Sequence, residues 1–178
     1  MKSIPLAFLF VLVIVVVSPQ GVPGVNIDFG VLVDTFTQGD TAEVPVTVVT
    51  RNDPQVGLVV FEMAFPATSL SFTDAVLGGA VDVQGAKLNT QVRDDGDGER
   101  KILRVEISST SSINQGLLVT LSFEISQEIA ANHDIQLENL IQSAKSLDGN
   151  DLAARGLSRS ITSNEFIPAC FFLSLIHI

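Results

Sequence analysis

The sequence has one cysteine, two histidines, and neither tryptophan nor tyrosine among its 178 residues. A single cysteine excludes a disulfide framework within the chain, and it comes close to excluding a zinc site built from Cys and His. Catalysis by a Ser-His-Asp or Cys-His set would have to use His133 or His177. Basic residues number 10 against 20 acidic ones, and the formal charge of -10 disfavours nucleic-acid binding, which needs clustered Lys and Arg.

Apolar residues are abundant instead. They make up 46% of the chain and give a mean hydropathy of +0.41, which excludes a disordered protein. Residues 1–24 follow the order of a secretory signal peptide: a positive start with Lys2, an apolar run over 4–17, and the breaker-rich SPQGVPG. The apolar run is shorter than the ~20 residues that span a bilayer. We predict cleavage after Gly24, with an uncleaved anchor as the alternative; losing Lys2 leaves a mature charge of -11.

The last residues look foreign to the domain. Residues 173–178 (LSLIHI) match one reading frame of a transposase mosaic end used in sequencing libraries, so we predict an artefact there. Residues 164–172 would then be the start of a truncated C-terminal segment. His177 drops out of the natural protein on this interpretation. Cys170 beside the junction is more typical of a buried residue than of a nucleophile, because no natural histidine lies near it in the sequence.

Alternation with a period of two dominates the middle of the chain. Apolar residues recur at every second position over 44–48, 59–65, 103–107 and 117–125, so each run predicts a strand with one buried face. Weaker strand patterns cover 25–33, 70–77, 86–92, 135–144 and 152–162, and residues 126–132 are the one helix-like piece. Turn-forming residues separate the runs. Short strands at regular spacing predict an all-β sandwich or barrel.

The order of the motifs resembles that of cohesin-type domains, which are similar in fold to carbohydrate-binding modules of families 2 and 3. The motifs are Gly39-Asp40-Thr41 before EVPVTV, then Val56-Gly57 with LVVFEMAFPATSLSF, then INQGLLVTLSFEI, and finally LENLIQSAKSLDGNDL. Residues 26–163 carry the resemblance. It implies a single jelly-roll β-sandwich of about nine strands over residues 25–163, with no catalytic activity. Cohesins bind dockerin modules and thereby attach polysaccharide-degrading enzymes to a scaffold or cell surface, so the resemblance implies a secreted, extracellular protein-binding module.

Residues opposite the predicted core form a candidate protein-binding face that mixes aliphatic and charged side chains. These residues are Leu58, Val60, Glu62, Ile102, Arg104, Glu106, Leu118, Thr120, Ser122 and Glu124. The resemblance agrees, because cohesins bind dockerin on the sheet built from these strands. A face covered by a loop is the alternative. The mature charge of -11 predicts that the matching surface of the partner is basic or neutral.

Two other functions remain open at this point. A carbohydrate-binding module would recognise polysaccharide directly, but sugars stack on flat aromatic platforms that Trp and Tyr supply best. The chain has neither residue, and Phe61, Phe65 and Phe123 fall at inward positions. A structural surface or matrix domain with no dedicated ligand is the second possibility. A glycosidase pair drawn from Glu62, Glu106 and Glu124 is disfavoured, because the three lie on a flat sheet without a cleft.

The strongest local charge cluster runs from Arg93 to Arg100. Its acids Asp94, Asp95, Asp97 and Glu99 are a weak candidate for calcium binding, since aspartates spaced by glycines can supply oxygen ligands. The favoured interpretation is a hairpin tip with Asp-Gly turns. We predict no other cofactor. His133 lies in a polar connection, where a lone histidine is usually exposed to solvent.

Overall fold

The computed structural model describes residues 23–30, 39–52, 54–96, 98–128, 134–157 and 159–162, and every regular element in these ranges is a β-strand. The strands are β1 (Gly24–Phe29), β2 (Thr41–Arg51), β3 (Val56–Pro66), β4 (Leu70–Leu77), β5 (Ala86–Asp94), β6 (Arg100–Ile113), β7 (Gly116–Ile125), β8 (Asp134–Ser146), β9 (Asp151–Leu157) and β10 (Arg159–Thr162). No helix long and apolar enough to cross a membrane occurs in these ranges.

The strands pair in the order β4-β7-β2-β1-β9-β8-β3-β6-β5, and β10 pairs with β8. All neighbours are antiparallel except β1 and β9. Strands β8 and β9 are joined by only two residue pairs, Ala144 with Leu152 and Lys145 with Asp151. The sheet folds into two layers at this junction. We call β8-β3-β6-β5 the front sheet and β4-β7-β2-β1-β9 the back sheet.

The two sheets pack face to face over one hydrophobic core. Phe29 of the back sheet lies 5.7 Å from Phe61 of the front sheet, measured between ring centroids. Phe65 of β3 meets Phe123 of β7 edge to face at 5.2 Å. Offset and edge-to-face ring pairs stabilise by about 0.5–1.5 kcal/mol beyond their buried area. The all-β sandwich prediction is confirmed, with ten strands described rather than about nine.

Alternation explains most of the core. The inward residues of β2 and β3 predicted from the sequence are all buried: Val44, Val46, Val48, Val59, Phe61, Met63 and Phe65. Each fully buried side chain of this size contributes about 1.5–3 kcal/mol relative to an exposed one. Strand β3 departs from simple alternation because Val60, Glu62 and Ala64 on its outer side are buried as well. It is a central strand, flanked by β6 on one side and β8 on the other, so its outer side chains have neighbours on both sides.

Strand β7 breaks the predicted alternation at one point. Val46 pairs with Val119 and Thr47 pairs with Leu117, so Leu118 is the extra residue of a β-bulge. Leu118 therefore points into the core and is fully buried, whereas Leu117 is 38% exposed. The prediction that Leu117 points inward and Leu118 outward is wrong for this reason.

Strand boundaries follow the weaker predictions with small shifts. Strand β4 matches the predicted 70–77, β5 and β8 extend beyond their predicted ends, and the predicted strand over 152–162 is divided into β9 and β10. Of the helix-like segment 126–132, residues 127 and 128 form a turn, and 129–132 lie outside the described residues. Strand β1 begins at Gly24, the last residue of the predicted signal peptide. His133, Cys170, His177 and the predicted segments 164–172 and 173–178 also lie outside the described residues.

Candidate protein-binding face

The ten residues predicted to share one face lie on two different sheets. Leu58, Val60 and Glu62 of β3 and Ile102, Arg104 and Glu106 of β6 belong to the front sheet. Leu118, Thr120, Ser122 and Glu124 belong to β7, which pairs with β2 and β4 in the back sheet. A single face built from all ten is therefore wrong, because β7 pairs with neither β3 nor β6. Leu118 belongs to no outer face at all, since it is part of the core.

The six residues of β3 and β6 do form one continuous surface. Val60 pairs with Glu106 and Glu62 with Arg104 across the two strands, so these side chains are direct neighbours on the outer side of the front sheet. We call this surface the front face. By strand register, the front face comprises Leu58, Val60, Glu62, Ala64, Lys87, Asn89, Gln91, Arg93, Arg100, Ile102, Arg104, Glu106, Glu138, Ser143 and Lys145.

A buried carboxylate lies at the centre of the front face. Glu62 Oε2 accepts a hydrogen bond from Arg93 Nη2 at 2.9 Å, and Glu62 Oε1 accepts one from Arg104 Nη1 at 3.3 Å. The side chain of Glu62 is 7% exposed, against 49% for Arg93 and 41% for Arg104. Glu106 adds a longer contact, 3.7 Å from its Oε2 to Arg104 Nη2. One buried acid thus holds two half-exposed guanidinium groups side by side at the surface.

Arg93 is the residue of this cluster that the sequence analysis missed. The sequence pattern assigned it only to the charged turn before Arg100. In the structure it is an outward residue of β5, where it pairs with Ile102 and stands diagonal to Arg104. The alternation of β5 is too polar to reveal its outward side, and only the register with β6 brings Arg93 to Glu62.

A third arginine of the front face, Arg100, joins the tip of the β5–β6 hairpin to β8. Arg100 Nη2 donates to Asp95 Oδ2 at 2.8 Å, and Arg100 Nη1 donates to Glu138 Oε2 at 2.9 Å. The hydrogen bonding that Arg100 donates to the Asp95 carboxylate is the main reason that the pKa of Arg100 lies above its ordinary value. Arg100 is thus bonded to acids of its own chain on two sides, unlike Arg93, whose one described ionic partner is Glu62.

The weak calcium candidate is the tip of the β5–β6 hairpin. The Asp95 amide donates to the Arg100 carbonyl at 3.1 Å, and Gly96 and Gly98 adopt the left-handed backbone that tight turns require. Asp95 is bonded to Arg100, and no group of three His, Cys, Asp or Glu residues in the described ranges is placed to hold a metal. Asp97 lies outside those ranges. The geometry agrees with the favoured hairpin-tip interpretation, and calcium binding stays the weaker alternative.

The outer side of the back sheet has a different character. Asn26, Asp28, Arg51 and Arg155 surround a shallow polar depression across β1, β2 and β9. Arg51 Nη2 donates to Asn26 Oδ1 at 2.8 Å. No buried acid braces these arginines in the described part of the chain.

The phenylalanines in the described ranges offer no platform for a sugar ring. Phe29, Phe61, Phe65 and Phe123 are fully buried, and Phe72 is half-buried with its ring 5.7 Å from that of Phe123. Stacking on a sugar needs an exposed ring face. Direct recognition of polysaccharide therefore has no support from these five side chains.

Comparison with known proteins places the fold. No family profile and no curated protein sequence matches the chain. Among solved structures, the sixth cohesin of Acetivibrio cellulolyticus scaffoldin B, in complex with a Cel5 dockerin mutant, matches with a TM-score of 0.63 and 19% identity, covering 80% of this chain and 99% of that one.

Two further matches are a non-cellulosomal cohesin from the archaeon Archaeoglobus fulgidus and the cohesin CaCohA2 of Clostridium acetobutylicum. The archaeal protein has a TM-score of 0.61 and 18% identity, covering 79% of this chain and 91% of its own. CaCohA2 has a TM-score of 0.60 and 20% identity, with coverages of 79% and 91%. The motif resemblance and the three-dimensional likeness agree, and the chain has the fold of a cohesin domain.

Proposed function

We propose that this protein is a non-catalytic binding module and that it holds a dockerin-type protein module on its front face. The observation that carries the proposal is the central cluster, in which Glu62 holds Arg93 and Arg104 on the outer side of the front sheet. Arginine is enriched at protein interfaces and among their energetic hot spots. Structural neighbours that were solved as cohesin–dockerin complexes support the class of partner.

The rigidity of the front face favours docking of a folded partner. Backbone hydrogen bonds along β8, β3, β6 and β5 hold the surface in place before any partner arrives. A preformed surface loses little conformational entropy on binding, so more of the contact energy is retained as affinity. Leu58 and Lys145 contribute partly exposed apolar and aliphatic area beside the charged cluster.

The same geometry argues against a glycosidase. Glu62 is bonded to two arginines, Glu106 is a half-exposed neighbour on the same sheet surface, and Glu124 lies on the opposite sheet. A glycosidase needs two carboxyl groups that flank a substrate cleft. These three acids provide no such pair.

We further propose that the protein acts outside the cell, in a setting of polysaccharide degradation. The support is the signal-peptide order of residues 1–24 together with the dockerin-type partner. Mass spectrometry of secreted protein should give an N-terminus near Val25. An intact Met1 on protein retained in the cytoplasm would contradict the export proposal.

A binding assay with two matched variants tests the function. Purified domain is titrated with a panel of dockerin modules and with insoluble polysaccharides. Ser143→Trp adds bulk to the front face opposite Val60, and Ser71→Trp adds the same bulk to the back sheet opposite Glu124. We expect at least one dockerin to bind, and Ser143→Trp alone to weaken it. Binding only to polysaccharide, or loss with Ser71→Trp alone, would contradict the proposal.

A further inference from the structure

We propose that Arg93 and Arg104 form a receptor for an acidic side chain, an Asp or Glu, on the docked partner. This inference rests on the proposed function and specifies the chemistry of the partner at the centre of the front face. Glu62 acts in it as a positioning residue, because its carboxylate holds both guanidinium groups in place from beneath the surface.

The charge balance of the front face favours an acidic group on the partner. Two guanidinium groups share one buried carboxylate, so the cluster of Arg93, Arg104 and Glu62 carries a net positive charge in a strongly acidic chain. Glu106, whose Oε2 lies 3.7 Å from Arg104 Nη2, balances the formal charge of this cluster. The front face as a whole still carries more basic residues (Lys87, Arg93, Arg100, Arg104 and Lys145) than acidic ones (Glu62, Glu106 and Glu138). The sequence alone predicted a basic or neutral partner surface from the total charge. The local charge at the front face favours an acidic one.

The N–H donors of the two arginines are directional and suit a carboxylate. A guanidinium carries five N–H donors in a rigid fork, and Glu62 accepts one from each arginine. The other N–H groups belong to the side chains of Arg93 and Arg104, which are 49% and 41% exposed. A carboxylate matches such an edge with two parallel hydrogen bonds, which makes the contact both stronger and more selective than a point charge.

The surface beside the two arginines is polar as well. A shallow depression is lined by Asn89, Thr90, Gln91, Arg104 and Glu106. The amide groups of Asn89 and Gln91 can donate further hydrogen bonds to a polar group lodged there. An acidic side chain that reaches Arg104 therefore enters a polar depression, in which amide donors lie beside the carboxylate of Glu106.

The test uses the dockerin panel of the preceding section and three arginine variants. Arg93→Gln and Arg104→Gln each remove one guanidinium, while Arg51→Gln removes an exposed arginine from the back sheet as a matched control. Each variant is titrated at low and at high salt, and its thermal unfolding is recorded to confirm that it folds. A reciprocal Asp→Arg or Glu→Arg change in the bound dockerin is then combined with Arg93→Glu.

We expect Arg93→Gln and Arg104→Gln each to weaken binding by about tenfold, in the range of a hydrogen bond to a charged group, and Arg51→Gln to leave it unchanged. Salt should weaken binding of the wild type more than that of either variant. The charge swap with Arg93→Glu should restore part of the lost affinity.

The two possible failures are distinguishable. If no dockerin binds the wild type, the proposed function is overturned and this inference falls with it. If a dockerin binds tightly but both front-face variants match the wild type, or Arg93→Glu binds more tightly, only the acidic-partner inference is overturned.

Discussion

Leu118 and Val119 are consecutive residues of β7, and the side chains of both are fully buried. Consecutive residues of a regular strand point to opposite faces, so this arrangement depends on the bulge that pairs Thr47 with Leu117 and Val46 with Val119. The bulge also turns Leu117 toward solvent. Near Gly116, β7 therefore buries Leu118 in the core, although the alternation pattern assigns this residue to the surface.

Truncation of these two leucines should therefore have unequal effects. Leu118→Ala removes a core side chain and should lower the free energy of unfolding by about 2–5 kcal/mol. Leu117→Ala removes a partly exposed one and should change it by no more than about 1 kcal/mol. Urea denaturation of both variants measures the difference. Equal losses would contradict the bulge.

Gly78 and Gly79 follow β4, and alanine substitutions at these two positions should differ just as sharply in their effect on stability. A Cβ on Gly78 would collide with the backbone carbonyl of Leu117, whereas a Cβ on Gly79 would meet nothing within 4 Å. Gly78→Ala must displace the hydrogen bond from the Gly78 amide to the Leu118 carbonyl, and we expect a loss of about 1–3 kcal/mol. Gly79→Ala should be neutral or stabilise by up to about 1 kcal/mol. Thermal unfolding of the two variants tests this, and a stable Gly78→Ala would be the contrary result.

Glu62→Gln separates orientation from charge at the front face. The substitution makes the cluster more positive, so affinity for an acidic partner would rise if charge alone mattered. We expect affinity to fall instead, by about fivefold or about 1 kcal/mol, because Arg93 and Arg104 lose the charged acceptor that aligns them. Stability should fall by no more than about 1 kcal/mol, since both arginines can turn to water. Isothermal titration alongside denaturation distinguishes the two accounts, and a gain in affinity would refute the positioning role.

Calcium should leave the stability of the domain unchanged. Asp95, one of the four acids at the hairpin tip, is bonded to Arg100. Among the residues that the structure describes, no group of three potential metal ligands surrounds it. Thermal unfolding curves in millimolar calcium and in excess chelator should superimpose. A higher midpoint with calcium, abolished by Asp95→Asn, would establish the site that the sequence pattern weakly suggested.

The sequence was informative about which side of a strand is buried and uninformative about which strands are neighbours. Val59, Phe61 and Phe65 were identifiable as core residues because alternation reports the inward side directly. The same pattern occurs in β3 and β7, which face one core from opposite sheets, so alternation assigned both outer sides to one surface. Sheet membership depends on long-range pairing, which a single sequence does not reveal.

The candidate site shows the same limit. Glu62 and Arg104 were both predicted as outward residues, but the cluster forms only because Glu62 meets Arg93 and Arg104, which lie 31 and 42 residues away from it in the chain. The bulge at Leu118 likewise exists only in the pairing of β7 with β2. Both features arise from register, and register is fixed by the assembled sheet rather than by any one strand.

The central claim, docking of a dockerin-type module on the front face, is tested most directly by NMR. Backbone and arginine side-chain signals of the labelled domain are followed while an unlabelled dockerin that binds is added. We predict that the largest shifts occur at outward residues of β3, β5, β6 and β8, with the Nε signals of Arg93 and Arg104 among them and that of Arg51 unmoved. Shifts confined to the outward residues of β4, β7 and β2 would contradict the account.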